Sequence, residues 1–222
     1  MTDVVGALKE ECGALLGVLG EVTEFGVLTN CPPWDLGELV VHMGDSVRLK
    51  GRLPHGEERA NLVSAADYYR RAERGTVEYR QGNVDRTREL AGEVLARESA
   101  VGWFERVARE AVGLFEGDDL GRVVEVRGKG AMRLGDWVAT RVIAVAAHGV
   151  DVAITLGREP WTTEAALGVV RPVFVELLGE EPSEELGWSD QEFLVVGTGR
   201  RELTESEREV LGERGEKFPL LS

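Results

Sequence analysis

The feature that most constrains this chain is a long segment that is apolar on nearly every side. Residues 137–156 read WVATRVIAVAAHGVDVAITL, and Gly157 follows them. A helix that is apolar all round has to be surrounded by other protein, and a glycine directly after it is a common helix end. With Asp136 as its predicted cap, the segment predicts a central helix around which the rest of the fold packs.

Earlier segments of the chain supply helices that can surround this one. Residues 4–22 place apolar side chains at spacings of three and four, which is one face of a helix. A second helix is predicted to open near Pro33, with Asp35 and Glu38 in its first turn, where acidic side chains suit the helix dipole. Two more segments show helical patterns with dense charge on one side, residues 61–80 and 83–116.

Residues 121–134 have a different pattern from the helical segments around them. They contain VVEVRGKGAMRL, in which apolar and polar residues alternate on either side of the turn residues Gly128, Lys129 and Gly130. This is the strongest hairpin signal in the chain. The sequence therefore predicts a mainly α fold, in which residues 1–157 form a four-helix bundle with a β-hairpin before the fourth helix.

Residues 158–222 are predicted to form a small α+β C-terminal cap. A helix begins at Thr162 or Thr163, and a further helix begins at Thr204. Between them, FLVVGTG at 193–199 is a short apolar run that we interpret as a strand. The cap is thus predicted to contain a helix, a short strand and a helix.

The charge balance excludes several classes of partner. The chain has 26 basic and 40 acidic side chains, for a net charge of −14, and binding to nucleic acid or to anionic membranes needs clustered basic residues instead. No stretch reaches 18 uninterrupted apolar residues, and the N-terminus lacks the pattern of a signal peptide. We therefore expect no nucleic acid, no membrane and a cytoplasmic location. A homodimer is the default expectation for a helical bundle.

Two histidines lie on apolar faces of predicted helices and have acidic neighbours at helical spacing. Glu38 lies four residues before His42 and Asp45 three after it, while Asp151 lies three after His148. Each helix can therefore present an imidazole and a carboxylate on one face. Two such helices can build a metal site in a bundle, although a single histidine on an apolar face is more often a hydrogen-bonded core residue.

The remaining candidate residues carry weaker signals. His55 lies in a loop rich in glycine and proline and is expected to be solvated. Cys12 and Cys31 form no disulfide framework. Cys31 precedes a helix N-terminus, a place that can lower a thiol pKa, but a buried, inert cysteine is the favoured interpretation. The chain contains no nucleophile elbow and no nucleotide-binding glycine motif.

Two segments, LTNCPPWDLGELVVHMGDSV at 28–47 and TRVIAVAAHGVDVAITLG at 140–157, resemble the mycothiol-dependent maleylpyruvate isomerase-like family of DinB/YfiT-like four-helix bundles. The tail FLVVGTGRRELTESEREVLGERGEKFPLLS is similar to the ending of some members. The residues that match the two family motifs are Cys31, Pro32, Trp34, Leu39 and His42 in the first, and Arg141, His148, Asp151 and Gly157 in the second.

The resemblance implies a divalent metal, most often zinc, bound by His42, His148 and a glutamate at position 144. Here that position is Ala144, which has no donor atom. Glu38, Asp45 or Asp151 are the candidates to replace it or to orient the histidines. The matching Asp151 is not a metal ligand in the family, so an orienting role is its simpler interpretation.

The resemblance also implies the chemistry. In the family, a metal-bound thiol, mycothiol, becomes a thiolate that adds to a small electrophilic substrate. Mycothiol is a cofactor of actinobacteria, and the high arginine content is compatible with such a source. The 65 residues after Gly157 are short for a separate substrate domain.

Three hypotheses about function follow. The first is a metal-dependent isomerase or thiol S-transferase that uses His42 and His148 with a substitute third ligand. The second is a non-catalytic binding or regulatory relative that has lost the metal site, as Ala144 suggests. The third is a plain helical interaction protein. The predicted fold itself implies that His42 and His148 approach within about 3–5 Å of each other across two helices.

Overall fold

The computed structural model describes residues 3–49, 53–58, 61–70, 76–126 and 128–221. These residues form nine α-helices and a two-stranded antiparallel sheet. The helices are α1 Val4–Leu19, α2 Leu36–Val47, α3 Ala65–Tyr69, α4 Val77–Leu95, α5 Ala100–Glu116, α6 Leu134–Leu156, α7 Glu164–Leu178, α8 Asp190–Gly197 and α9 Glu205–Leu211. The strands are β1 Val123–Val126 and β2 Gly130–Arg133.

Four of the helices pack in a closed ring. Helix α6 contacts α1 and α2, and α5 contacts the same two helices from the opposite side. Helix α6 is buried on most of its faces, as predicted for a central helix. It is also long and apolar enough to cross a membrane, but 78% of the apolar window is buried inside the protein, which is what a core helix requires.

Side-chain caps set the helix boundaries and correct several predicted ones. Helix α2 begins at Leu36 instead of near Pro33, because Asp35 is its N-cap and forms a capping box with Glu38. The predicted helix 83–116 is two helices, since the Ser99 hydroxyl caps a new helix that starts at Ala100. The predicted helix 61–80 is likewise divided between α3 and the start of α4, each with its own cap; residues 71–75 lie outside the described residues.

The predicted hairpin is confirmed. Strands β1 and β2 pair with Val124 opposite Met132 and Val126 opposite Gly130. Gly128 and Gly130 have positive φ values of 70° and 96°, which glycine adopts without strain. The hairpin leads directly into α6, so Asp136 lies in the first turn of that helix and is not its cap.

The predicted strand at 193–199 is wrong, and the described residues of the cap contain helices joined by loops and no strand. Residues 190–197 form α8, which begins with a capping box between Ser189 and Glu192. Phe193 and Leu194 are buried in the apolar cluster that contains Phe174 of α7, and Val196 is buried in a second cluster with Leu203 and Leu211. A short apolar run has no periodicity that distinguishes a strand from a buried helix. Here the capping box at Ser189 starts a helix.

The core crosses the predicted boundary between bundle and cap. Phe174 and Phe193 are fully buried with their rings 5.6 Å apart, and they belong to the same apolar cluster as Phe104 and Leu39 of the bundle. Helix α7 packs on both α1 and α6. The cap therefore lies against the bundle and places its C-terminal end beside α6.

Candidate functional site

A cavity of about 500 Å³ lies beside α6, between α2, α3, α4 and the C-terminal cap. Its lining residues are His42, Asp45 and Ser46 from α2, Tyr68 and Tyr69 from α3, Tyr79, Arg80, Asn83 and Arg86 from α4, Arg141, Ile143, Ala144, Ala147 and His148 from α6, and Arg200 and Leu221 from the cap. The volume falls within the range of small-molecule sites.

The structure brings His42 and His148 together in this cavity. Their ring centroids are 5.0 Å apart and their planes are nearly perpendicular, at 85°, in agreement with the predicted approach. Each ring is held through its Nδ1 atom. The Nδ1 atom of His42 lies 3.1 Å from the Thr87 hydroxyl, and that of His148 lies 2.8 Å from the Asp151 carboxylate. Within the described residues neither ring has a hydrogen bond at Nε2, so both Nε2 atoms are open to a ligand.

His42 lies in surroundings that disfavour a positive charge. The Trp34 ring packs on it at a centroid distance of 4.4 Å. Burial is the main cause, and the positive charges of Arg86 and Arg141, with that of His148 when its ring is protonated, add to it; together they lower the pKa of His42 to about 3. The imidazole is consequently neutral near pH 7, with a proton on one ring nitrogen and a lone pair on the other.

Asp151 is the buried centre of a polar network behind His148. Its carboxylate accepts hydrogen bonds from His148 Nδ1, from Asn30 Nδ2 at 2.9 Å and from the Arg200 guanidinium at 2.6 and 2.9 Å. Burial by itself would raise the pKa of Asp151, but the bonds from His148 and Arg200 outweigh burial and hold it well below its usual range. The ionised carboxylate makes Nδ1 of His148 the donor, so in the neutral ring Nε2 is the nitrogen with the lone pair.

Cys31 lies beside this network as a neutral thiol. Burial and the nearby Asp151 carboxylate raise the pKa of Cys31 to about 12. The hypothesis that the helix N-terminus lowers the pKa of the Cys31 thiol is therefore wrong. The favoured interpretation, an inert cysteine, agrees with the raised pKa. His55 is exposed, as expected.

The two other acidic candidates have different partners. Glu38 accepts the Asp35 backbone N–H as part of the α2 cap, and its other carboxylate oxygen lies 3.4 Å from Arg88. Asp45 lines the cavity but pairs with Arg48 at 2.6 Å. Neither of them joins both histidines in a group of possible ligand atoms within 4.8 Å, among the residues described.

The residues present do not fit a three-ligand zinc centre built on His42 and His148. Ala144 lines the cavity at the position where the resemblance expects a glutamate. Within the described part of the chain, the group that could offer three ligand atoms is Cys31, His148 and Asp151. Its carboxylate is already bonded to Arg200 and its thiol is protonated. The metal-ligand role of the two histidines stays a prediction.

Sequence reasoning missed most of the cationic side chains of the cavity. Arg80 and Arg86 come from α4, and Arg200 comes from the cap. The sequence singles out Arg141 only as a residue of the second family motif. Helical spacing carries a signal for Arg141, which lies seven residues before His148 and so shares a face with it. For Arg200 no local signal exists, because it reaches Asp151 from 49 residues away.

Comparison with known proteins identifies the fold family. A model of the mycothiol maleylpyruvate isomerase N-terminal domain family matches residues 6–153, which include both cavity histidines and nearly all of the four helices of the ring. Neither the curated proteins nor the solved structures include a significant match. The chain belongs to the family of the mycothiol maleylpyruvate isomerase N-terminal domain.

Proposed function

We propose that this chain is a mycothiol-related isomerase or thiol transferase that acts on a small electrophilic molecule in the cavity. The observation that carries the proposal is the convergence of His42 and His148, from two distant motifs, at a ring distance of 5.0 Å inside a cavity of about 500 Å³. The family, in which mycothiol is the thiol, supplies the class of cofactor. A cytoplasmic location belongs to the same proposal, because a thiol cofactor stays reduced there.

In this proposal His148 is the residue that moves a proton. Asp151 holds its Nδ1–H at 2.8 Å, so Nε2 would act as the base for the thiol of a cofactor bound in the cavity and would later return that proton. Mycothiol, when bound, would supply the thiolate nucleophile for the electrophilic substrate: its release would leave an isomer, and its retention together with a proton from His148 would leave a conjugate.

Ala144 favours a second candidate, a non-catalytic member of the family that binds a small molecule in the same cavity. The family's glutamate is absent at this lining position, and the described acidic side chains form no three-ligand set with both histidines. Such a protein would still bind the small molecule in the cavity but would not convert it.

Turnover with purified protein distinguishes the two candidates. The full chain is assayed with mycothiol and maleylpyruvate, and with glutathione in place of mycothiol. We expect mycothiol-dependent loss of maleylpyruvate in the wild type and a decrease of about 100-fold in His148→Ala, the usual contribution of a general base. His55→Ala, an exposed histidine outside the cavity, serves as the matched control and retains full activity. Absence of turnover in the wild type overturns the enzymatic proposal in favour of the binding protein.

A further inference from the structure

The Nδ1 atoms of His42 and His148 have chemically different partners. The partner of His148 is the ionised Asp151 carboxylate, which only accepts hydrogen bonds, so Nδ1 of that ring carries the proton. The partner of His42 is the Thr87 hydroxyl at 3.1 Å, which can either donate or accept. The position of the proton on the His42 ring therefore depends on the direction of the bond to Thr87.

The Thr87 hydroxyl needs an acceptor for its own proton. A threonine inside a helix commonly donates to a carbonyl oxygen of the preceding turn, as Thr155 of α6 does to the Asp151 carbonyl at 2.8 Å. Thr87 of α4 makes no such bond, and within the described residues its hydroxyl is hydrogen-bonded to His42 alone. Thr87 is 5% exposed, so little water can reach the hydroxyl.

These contacts distinguish the two neutral tautomers of His42. If Nδ1 carried the proton, it would donate to Thr87, and the Thr87 hydroxyl proton would be buried with no acceptor among the described residues. A buried donor without an acceptor is costly. If Nε2 carries the proton, the hydroxyl donates to the Nδ1 lone pair and both groups are satisfied.

We propose that Thr87 is a positioning residue that fixes His42 in the Nε2–H tautomer. His42 then faces the cavity as a hydrogen-bond donor, while His148 faces it as an acceptor. The ring centroids are 5.0 Å apart, so one small ligand can contact both rings. The chemical role rests on the proposed function: a donor beside the base stabilises the negative charge that deprotonation leaves on the ligand. His42 keeps its proton in this step.

The same tautomer opposes a metal held by both histidines. A metal takes the lone pair of an imidazole nitrogen, and His42 offers a lone pair at Nε2 only in the disfavoured tautomer. A metal-bound histidine usually donates its other N–H to a carboxylate, a carbonyl or water, which is the arrangement of His148 with Asp151. The Thr87 hydroxyl is thus a second reason, independent of Ala144, why the two histidines do not form a matched pair of metal ligands.

Nitrogen NMR of the histidine rings tests the tautomer directly. The ¹⁵N-labelled full chain is measured at pH 7 after EDTA treatment, and His55→Gln and His148→Gln assign the signals of the three rings. We expect the Nδ1–H form for His148 and the Nε2–H form for His42. A His42 ring in the Nδ1–H form, or protonated on both nitrogens, overturns the proposal.

Variants at position 87 test whether Thr87 sets this arrangement. Thr87→Val keeps the shape of the side chain and removes the hydroxyl, so the Nδ1 signal of His42 should move to the position of an unbonded lone pair. Thr87→Ser keeps a hydroxyl and should restore the wild-type signal. Thr155→Val, the matched control, removes a hydroxyl that is bonded within its own helix and should leave the ring signals unchanged. An unchanged His42 signal in Thr87→Val overturns the role of Thr87.

Turnover of maleylpyruvate with mycothiol separates this inference from the proposed function. We expect kcat to fall about tenfold in Thr87→Val, with KM nearly unchanged, and to recover in Thr87→Ser. A wild type without turnover but with His42 in the Nε2–H form contradicts the proposed function alone. An active wild type with His42 in the Nδ1–H form, or full activity in Thr87→Val, overturns this inference alone.

Discussion

Asp151 is the single residue on which most of the site's polar contacts depend. It is 1% exposed and joins Asn30 of the first motif, His148 of the second and Arg200 of the cap. The bond to His148 spans three residues within one helix. The bonds to Asn30 and Arg200 connect distant parts of the chain, so the same carboxylate orients a histidine and ties the cap to the bundle.

Removal of the Asp151 charge should therefore destabilise the whole protein. In Asp151→Asn the buried Arg200 guanidinium loses its carboxylate, and breaking a buried pair costs about 3 kcal/mol. Urea unfolding at pH 7 measures the change. Asp45→Asn breaks a more exposed pair with Arg48 and should cost less than about 1 kcal/mol. Equal losses of unfolding free energy in the two variants would show that the buried Asp151–Arg200 pair contributes no more to stability than the more exposed pair.

Ala144 predicts how the chain treats a metal. The wild type should contain zinc well below one equivalent per chain, since two imidazoles without a third protein ligand bind it weakly. Ala144→Glu places a carboxylate on the cavity wall, one helical turn before His148, and should raise the zinc content toward one equivalent. Elemental analysis after dialysis measures both, with Ala144→Gln as the neutral control. Stoichiometric zinc in the wild type, lost in a His42→Ala, His148→Ala double variant, would contradict this expectation.

At the scale of elements, a close approach between α2 and α5 depends on a glycine. A Cβ atom added at Gly44 would lie 2.0 Å from the buried Trp103 ring. Gly44→Ala should therefore lower the free energy of unfolding by about 2 kcal/mol through overpacking. Gly82 lies inside α4 with no atom within 4 Å of such a Cβ, so Gly82→Ala should raise it by about 0.5–1 kcal/mol. Thermal unfolding of both variants measures the contrast, and a stabilised Gly44→Ala would disprove it.

The cap contains a carboxylate that makes stability depend on pH. Glu207 accepts from Arg201, from Trp188 Nε1 at 2.6 Å and from the Thr204 backbone N–H. The Arg201 bond, against an opposing effect of burial, holds the pKa of Glu207 well below its ordinary value of 4.5. Because its pKa is lowered in the folded state, ionised Glu207 stabilises the protein at pH values above 4.5. This stabilisation is lost as the pH falls from 4.5 toward the pKa of the folded state.

Glu207→Gln should therefore be less stable than the wild type at pH 7, by about 1 kcal/mol, and the difference should shrink at pH 3. Chemical unfolding at the two pH values measures it. Glu205→Gln changes an exposed carboxylate on the same helix and should show a smaller difference at pH 7. A constant difference at both pH values would exclude the Glu207 ionisation as its source.

At the scale of the whole molecule, the bundle and the cap share one core. Phe193 of α8 is 1% exposed and packs on Phe174, whose helix lies against α1 and α6. Phe193→Ala should cost about 4 kcal/mol and shift a single unfolding transition to lower temperature. Calorimetry measures this, with exposed Val77→Ala as a control that shifts the midpoint little. Two separate transitions would instead support residues 1–157 and 158–222 as independent units.

Local patterns in the sequence were sufficient for much of this architecture. The apolar segment at 137–156 is the central helix because it has no polar face to present to water, and the turn glycines place the hairpin before it. The spacing of His148 and Asp151 puts both side chains on one helix face, where they bond. The pattern at 193–199 predicts a strand, and this prediction is wrong because a short apolar run is equally compatible with a buried helix, which the Ser189 capping box starts here.

The chain by itself thus determined the helical fold, the hairpin and the two histidine positions, because these follow from spacing and capping within a few residues. Only the tertiary structure decided what surrounds the histidines. It places Arg80 and Arg86 of α4 around the cavity, brings Arg200 from the cap to Asp151, and turns Glu38 and Asp45 toward other arginines. Charges of this kind meet through packing across long sequence separations, and no local periodicity encodes which of them will find a partner and which will face the cavity unpaired.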